Sequence, residues 1–341
     1  MRSKAALLTV ITSVVVAGCS GGGSHISAAS QHEQSPTPTP TTSPTPPPSP
    51  AAVLTGDPLT GGAPGSGPIV AIKVDNAPLA RQYQTGLKQA SVVYQELVEG
   101  GLTRLMAVFE SPSATHEVGP VRSGRESDLD ILRMYGKPAL GFSGAQPGVF
   151  AIIRAAARAG RVIDASRDSA PGLYRAGAQR RDARNYFVVP ALLGQRRGGS
   201  QPQDIGLRFG PVGTGVATAA MTVSFSPGSV VKVRYNAATG RYVLSQRGRV
   251  IPISPANVVV EVVRTHPSRF HDVHGMNTPL TVSTGGGRAV VLRNGIRVAG
   301  TWARAGYGAT HYLDAAGHDV LLNTGPTWVF LLPKGQSISF G

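Results

Sequence analysis

The sequence predicts an α+β fold, an N-terminal α/β domain with a mixed sheet followed by a mostly antiparallel, β-rich C-terminal domain. Three observations carry that prediction. Between Ile69 and Ala159, short apolar runs of strand type alternate with segments at helical spacing, the texture of strands and helices packed in layers. From about Thr222 the chain changes to short β runs broken by glycines, which reads as antiparallel sheet. Ahead of both lies a proline-rich stretch with almost nothing apolar to bury, which marks off residues 53–215 and 216–341 as the folded halves. Each half is long enough to bury a core of its own.

Arg2 and Lys4 open the chain, and Ala5 to Ala17 is an apolar run too short to span a bilayer comfortably. Residues 1–18 therefore read as a signal peptide. The run ends in Val16-Ala17-Gly18-Cys19, which looks like a bacterial lipobox, the site where a cysteine sulfur is lipidated and becomes the mature N-terminus. Cys19 is the only cysteine, so an intrachain disulfide and a cysteine-based zinc site are both excluded. Diacylation of Cys19 supplies more than one buried hydrocarbon chain, which stable anchoring requires. The expected location is the cell membrane, lipid-anchored through Cys19, on the extracytoplasmic face. Residues 19–52 run through Gly and Ser into SPTPTPTTSPTPPPSP. Proline favours polyproline II, at about 3 Å per residue, so this segment reads as a disordered spacer.

There are 33 Lys or Arg against 18 Asp or Glu, a net charge of +15. A field of that sign favours phospholipid headgroups, phosphate-bearing cell-wall polymers or nucleic acid, and the compartment must choose among them. Nucleic acid does not suit an exported chain. Aromatics are only 6% of the residues and do not interleave with the arginines as a base-stacking platform requires.

Ile69 to Val74 reads as a strand, stopped by Asp75-Asn76-Ala77-Pro78. Asp75 and Asn76 at a strand end are either ligand contacts or an Asx-turn. Ser91 to Val98 and Leu102 to Glu110 form two more strands around Glu99-Gly100-Gly101, a hairpin signal because glycine tolerates positive φ. A three-residue loop puts Val98 opposite Leu102, Glu96 opposite Arg104 and Tyr94 opposite Met106. Glu96 and Arg104 then share one face as a solvated cross-strand pair, whereas a two-residue loop shifts the partners and breaks this pairing. Gly119-Pro120-Val121-Arg122-Ser123-Gly124-Arg125 leads into Leu129, Leu132 and Tyr135 at helical spacing. Two arginines and a hydroxyl thus arrive at a helix start, where free N–H groups favour an anion, unless Glu126, Asp128 or Asp130 pair with the arginines instead. Pro138 to Ser143 reads as a strand and Val149 to Ala159 as a helix. Arg180-Arg181-Asp182-Ala183-Arg184-Asn185-Tyr186-Phe187 is either an exposed loop or an extension of the same basic face.

In the second half, β runs are expected at Thr222 to Phe225, Val230 to Tyr235, Tyr242 to Ser245, Val258 to Val263, Ala289 to Leu292, Ile296 to Trp302 and Trp328 to Leu332. Asn294-Gly295 joins two of them as a hairpin turn. Trp302 and Trp328 are expected in the core. His266, His271 and His274 with Asp272 lie in a short segment that reads as a loop, and their spacing matches no helical zinc pair. Gly285-Gly286-Gly287 lacks the lysine and hydroxyl of a phosphate loop and reads as a turn.

Val74-Asp75-Asn76 with Arg81, Ser91-Val92-Val93-Tyr94-Gln95-Glu96, the run Glu99 to Phe109 and Gly119-Pro120-Val121-Arg122-Ser123 closely resemble the YerB-like family of bacterial lipoproteins. The likeness continues through Asn257 to Val260, Gly300-Thr301-Trp302 and Leu322 to Trp328, so it covers nearly the whole mature fold. It implies a two-part domain of unknown function, which brings an architecture and leaves the activity open. Where many relatives carry Pro-His-Asn-Leu-Tyr, this chain has Ala183-Arg184-Asn185-Tyr186-Phe187. The missing histidine argues against a catalytic role at that position.

The candidate ligand-binding residues are Asp75, Asn76, Arg81, Tyr94, Glu96, Glu99, Thr103, Arg104, Arg122, Ser123, Arg125 and Asn185. No catalytic residue, metal or cofactor is assigned. The expected function is binding of an anionic envelope ligand or a protein partner by a membrane-anchored lipoprotein. The alternative is an enzyme acting on a phosphate-linked cell-wall precursor, in the manner of glycopolymer transferases, with arginines stabilising phosphate charge.

Overall fold

The computed structural model describes residues 56–341 apart from 64, 180–183 and 273. The signal peptide, Cys19 and the spacer lie outside the described residues, as do Arg180 to Ala183. The N-terminal half contributes β1 (Ile69–Asp75), β2 (Val92–Leu97), β3 (Thr103–Glu110), α1 (Glu126–Leu132), β4 (Ala139–Gly141), α2 (Pro147–Arg158) and β5 (Ile163–Asp164). It closes with β6 (Tyr174–Gln179), β7 (Arg184–Val188) and α3 (Pro190–Arg197). Then come β8 (Val216–Ala217), β9 (Ala220–Ser226), β10 (Ser229–Asn236), β11 (Arg241–Gln246), β12 (Arg249–Val250) and β13 (Asn257–His271). The last strands are β14 (Asn277–Val282), β15 (Gly285–Arg293), β16 (Ile296–Arg304), β17 (His311–Leu313), β18 (Thr327–Pro333) and β19 (Ser337–Phe340).

The fold is α+β, and strands from both halves share one mixed sheet. Its order is β17-β16-β15-β13-β18-β2-β3-β1-β4-β5, with β14 on β13 and β8 on β16. The halves meet where β18 runs parallel to β2, Trp328 against Val93 and Leu331 against Glu96. A second, antiparallel sheet has the order β12-β11-β10-β9-β19, and β6 pairs with β7 alone. On one face of the large sheet, Val70, Ile72, Val93, Leu105, Trp328 and Phe330 pack with Val223, Phe225, Val231 and Leu244 of the second sheet. On the other, Ala71, Val92, Tyr94, Met106 and Val108 pack with Ile131 and Leu132 of α1 and Ile153 of α2. β1 and β3 are covered on both sides, so they read as continuous apolar runs rather than alternating ones.

Local chemistry sets the elements. Pro147 sits in the first turn of α2, and the Gln146 side chain accepts from the N–H groups of Gly148 (2.6 Å) and Val149 (3.2 Å). Val149, Ile153 and Ala156, spaced one helical turn apart, are its buried stripe. The β15–β16 hairpin closes with Arg293 opposite Ile296, and Asn294 and Gly295 between them have φ of 47° and 72°. This is the primed two-residue turn that Asn-Gly favours. Trp302 and Trp328 are buried as expected.

Three expectations fail. Gly285 to Gly287 is not a turn but the start of β15, pairing with Arg304 to Trp302. Its glycines serve close approach, since a Cβ at Gly287 would lie 2.4 Å from the Val262 carbonyl oxygen and 2.8 Å from Trp302 Nε1. The histidine segment is not a loop: His266 and His271 lie on β13, paired with β14. Among the described residues no His, Cys, Asp or Glu group is placed to hold a metal. Arg184 to Phe187 belongs to β7 rather than to an exposed loop, and Asn185 is fully buried.

The first described residues are clasped to the end of β3. Asp57 Oδ1 accepts from the N–H groups of Leu59 (2.9 Å) and Thr60 (2.8 Å), and Oδ2 from that of Gly65 (3.1 Å). Glu110 hydrogen-bonds to Asp57, and Ser91 Oγ donates to Glu110 Oε2 (2.9 Å). Burial and the neighbouring Asp57 push the Glu110 carboxyl up to about 7, so it is the proton donor of the pair. Asp57 keeps its pKa below the ordinary range: burial works against it, but bonds from Glu110, Thr60 and the backbone outweigh that.

Candidate functional site

The ends of β1, β2 and β3 put charged side chains in one row. Glu96 stands opposite Arg104, and Arg104 opposite Asp75, and Val98 N–H donates to the Leu102 carbonyl at 2.8 Å. The three-residue hairpin register is therefore as expected. Gly100 and Gly101 supply it with φ of 64° and 69°. The partners differ from expectation. Glu96 and Arg104 are both buried, and neither forms a solvated pair with the other.

Glu96 goes instead to Lys73, a fully buried residue that the apolar run of β1 conceals. Lys73 Nζ lies 2.7 Å from Glu96 Oε1 and 2.6 Å from Asp128 Oδ1. Ser127 Oγ donates to Glu96 Oε2 at 2.5 Å, and Asp128 Oδ2 accepts from Arg125 N–H at 2.7 Å. Burial works against the Lys73 ammonium, but Asp128 and Glu96 outweigh it and raise its pKa. Burial also opposes the Glu96 charge, yet Lys73 and the Ser127 bond hold its pKa down. Asp128 is raised by burial, which Lys73 only partly offsets. The acids of α1 thus take roles the sequence did not assign. Asp128 accepts from the Arg125 N–H at its own helix start, so one of the N–H groups expected there for an anion is already engaged.

Above this triad the guanidinium groups gather. Segment 119–124 lies along β1, with Asp75 N–H donating to Pro120 O (2.8 Å) and Arg122 N–H to Lys73 O (2.9 Å). It delivers Arg122 to Asp75, Nε to Oδ2 at 3.3 Å, while Arg104 Nη1 reaches Asp75 Oδ1 at 3.3 Å. Arg125 Nη2 binds Glu99 Oε2 at 2.8 Å, and Thr278 Oγ1 holds the other Glu99 oxygen at 2.6 Å. Burial brings the Arg104 pKa down to about 10; Asp75 opposes the fall, whereas Arg125 and Arg122 add to it. Burial and Arg247 bring Arg81 to about 10 against the pull of Asp75. Three guanidinium groups, Arg104, Arg122 and Arg125, therefore share two carboxylates, Asp75 and Glu99. Buried nitrogens are left over: Arg81 Nη2 and the Nε atoms of Arg104, Arg122 and Arg125 make no hydrogen bond. Arg122 is the open edge, its side chain 24% exposed.

Asn76, Thr103 and Arg81 belong to the opposite face of the sheet. Asn76 Nδ2 donates to Thr103 Oγ1 (2.7 Å) and Gln246 Oε1 (3.1 Å), and its Oδ1 accepts from Arg81 Nε (3.3 Å) and Gln84 Nε2 (3.1 Å). Every hydrogen-bonding position of that amide is used, and it ties β1 to β11. Tyr94 lies deeper in the helix-side core, its hydroxyl 2.9 Å from that of Tyr135. Burial pushes its pKa well above the usual phenol value. The Ser123 carbonyl, rather than its hydroxyl, accepts from Arg125 Nη1 at 3.2 Å. Asn185 has neither side-chain atom bonded, and its neighbour Tyr186 accepts from Val121 N–H at 2.7 Å. The residues brought together are Asp75, Glu99, Arg104, Arg122 and Arg125, over Lys73, Glu96 and Asp128. Lys73 escapes a reading by periodicity. Its one signal is a single lysine amid apolar strand residues, which must find buried carboxylates.

Residues 54–201 match the family model described as "Protein of unknown function (DUF3048) N-terminal domain", and residues 221–329 match its C-terminal domain. The protein of Bacillus subtilis (strain 168) named "Putative lipoprotein YerB" is 49% identical over 57 residues, a match spanning 17% of each chain. The crystal structure of YerB protein from Bacillus subtilis is similar at a TM-score of 0.66 and 20% identity, covering 83% of this chain and 98% of that one. That likeness concerns the fold. No helix among the described residues is long and apolar enough to cross a membrane.

Proposed function

Since this chain belongs to the DUF3048 family, described as of unknown function, we propose from its own chemistry that it is a lipid-anchored envelope protein whose arginine recess binds an anionic ligand. The observation that carries this is the imbalance at the recess: three guanidinium groups share Asp75 and Glu99, and the buried Nε–H groups of Arg104 and Arg125 make no hydrogen bond. A buried donor without a partner costs about 1–3 kcal/mol, and a phosphate or carboxylate that bonds to it recovers that cost. The deeper triad moderates the field, because Lys73 between two carboxylates is one negative charge in excess when both are ionised. The recess therefore suits a ligand bound by directed hydrogen bonds rather than by bulk charge. Ser127, Glu96 and Lys73 supply no nucleophile and base to such a ligand, since all three are enclosed.

Lipid anchoring rests on the lipobox at Cys19 and on the name of the Bacillus subtilis relative. Intact-mass measurement of the membrane fraction is expected to show a diacylglyceryl increment that Cys19→Ser removes. For the recess, native mass spectrometry after incubation with envelope lipid extract is expected to retain one anionic species on the wild type and none on Arg122→Ala. Equal retention by both proteins, or none by either, removes the anion reading and leaves a protein partner for this surface.

A further inference from the structure

The five-stranded sheet turns one face to the core and the other outward, and the outward face has no Asp or Glu side chain. Its ladder places Lys232 opposite Thr222 and Ser245, Arg234 opposite Ala220 and Val243, and Arg241 opposite Asn236. Ser337 and Ser339 lie beside Ser224 and Thr222, and Val250 beside Ser245. Lys232, Arg234 and Arg247 are exposed. Residues 205–260 contain no Asp or Glu, so none of these cations has an acid on its own strand or the next. None is ion-paired with another described residue. At one end, Arg247 is held at φ 51° with Nε 3.3 Å from the Gly228 carbonyl oxygen. It rims a hollow of about 450 Å³ shared with Lys232 and Ser245.

The other end of this face lies where the folded body begins. Thr60 carbonyl accepts from Gly325 N–H at 2.7 Å, and Arg241 lies so close to Gly325 that a Cβ there would be 2.2 Å from Nη1. The first described residues thus lie beside Arg241, at one end of this face. We propose that this face docks on the anionic lipid surface in which Cys19 is anchored. Choosing lipid as the occupant rests on the anchored reading of Cys19, but it makes no use of the arginine recess. Hydroxyl, amide and valine side chains surround the cations, and the exposed aromatic of these strands, Phe340, falls opposite the buried Met221, on the other face. The contact is therefore with headgroups rather than with the acyl region, and it weakens with salt.

The test uses the chain from residue 19 onward with Cys19→Ser, so that no acyl group contributes, sedimented with vesicles. Binding is expected to equimolar phosphatidylglycerol and phosphatidylcholine but not to phosphatidylcholine alone, falling steeply with added salt. A basic side chain near an anionic surface is worth roughly five-fold in partition, so Lys232→Gln with Arg234→Gln weakens it roughly 25-fold. The same pair leaves thermal unfolding unchanged, because both side chains are exposed and unpaired. Arg122→Ala leaves vesicle binding intact, which separates failure of this inference from failure of the recess reading. Equal binding to both vesicle types, indifference to the Lys232 and Arg234 substitutions, or capture by soluble poly(glycerol phosphate) without vesicle binding overturns it.

Discussion

Lys73 has no access to water and two carboxylates within 2.7 Å. Removing one member of a buried ionic group leaves the others uncompensated, at a cost of about 3–5 kcal/mol. Lys73→Met is therefore expected to lose about that much stability in urea unfolding, far more than a surface charge change. The pH dependence supplies a sign. Without the ammonium, burial holds the Glu96 and Asp128 pKa values above their unfolded ones, so the folded variant binds more protons than the unfolded chain. Its deficit then shrinks as pH falls towards 5 and grows as pH rises. A midpoint that is the same at pH 5 and pH 8 contradicts this account. Asn76 and Tyr94 behave differently, since their polar atoms already have partners inside the fold. Their substitution is a matter of stability rather than of ligand retention.

At the scale of the element, β3 links two functions of the fold. One end carries Arg104 into the candidate site, and the other carries Glu110 to the clasp on Asp57. Glu110 titrates near 7 in the folded protein against an ordinary value of 4.5. A carboxyl raised in this way contributes stability that is complete below its unfolded pKa and is lost as pH rises from there through 7. Amides of Leu59, Thr60 and Gly65 are expected to exchange more readily at pH 8 than at pH 6, after correction for the intrinsic rate. Glu110→Gln keeps a donor facing Asp57 at every pH, so the difference disappears in that variant. The β2–β3 hairpin shows how much an element declares in sequence. Two apolar runs around Glu99-Gly100-Gly101 place Glu96 opposite Arg104 once the loop is taken as three residues, because turn length and the two-residue strand period determine register.

Across the whole molecule, the parallel pairing of β18 with β2 makes both halves strands of one sheet. Phe330 packs against Phe225 and Trp328, with ring centroids 6.1 and 6.0 Å away. Phe330→Ala is expected to cost about 3–5 kcal/mol and to shift unfolding of both halves together. Tryptophan fluorescence, which reports the C-terminal half, should then trace the same transition as far-UV circular dichroism. Two separated transitions would mean that the halves are independent. The sequence alone determined the strand runs, the hairpin at Asn294-Gly295, the helix at Val149 to Ala159 and the α+β class, because these follow from periodicities and turn residues a few positions apart. Tertiary structure decided that Glu96 belongs to Lys73 rather than Arg104, that Asn76 reaches Gln246, that Gly287 lies under Trp302, and that arginines from two segments crowd Asp75 and Glu99. Those pairings depend on strand order and on which face of a sheet is covered, and no local pattern carries that information.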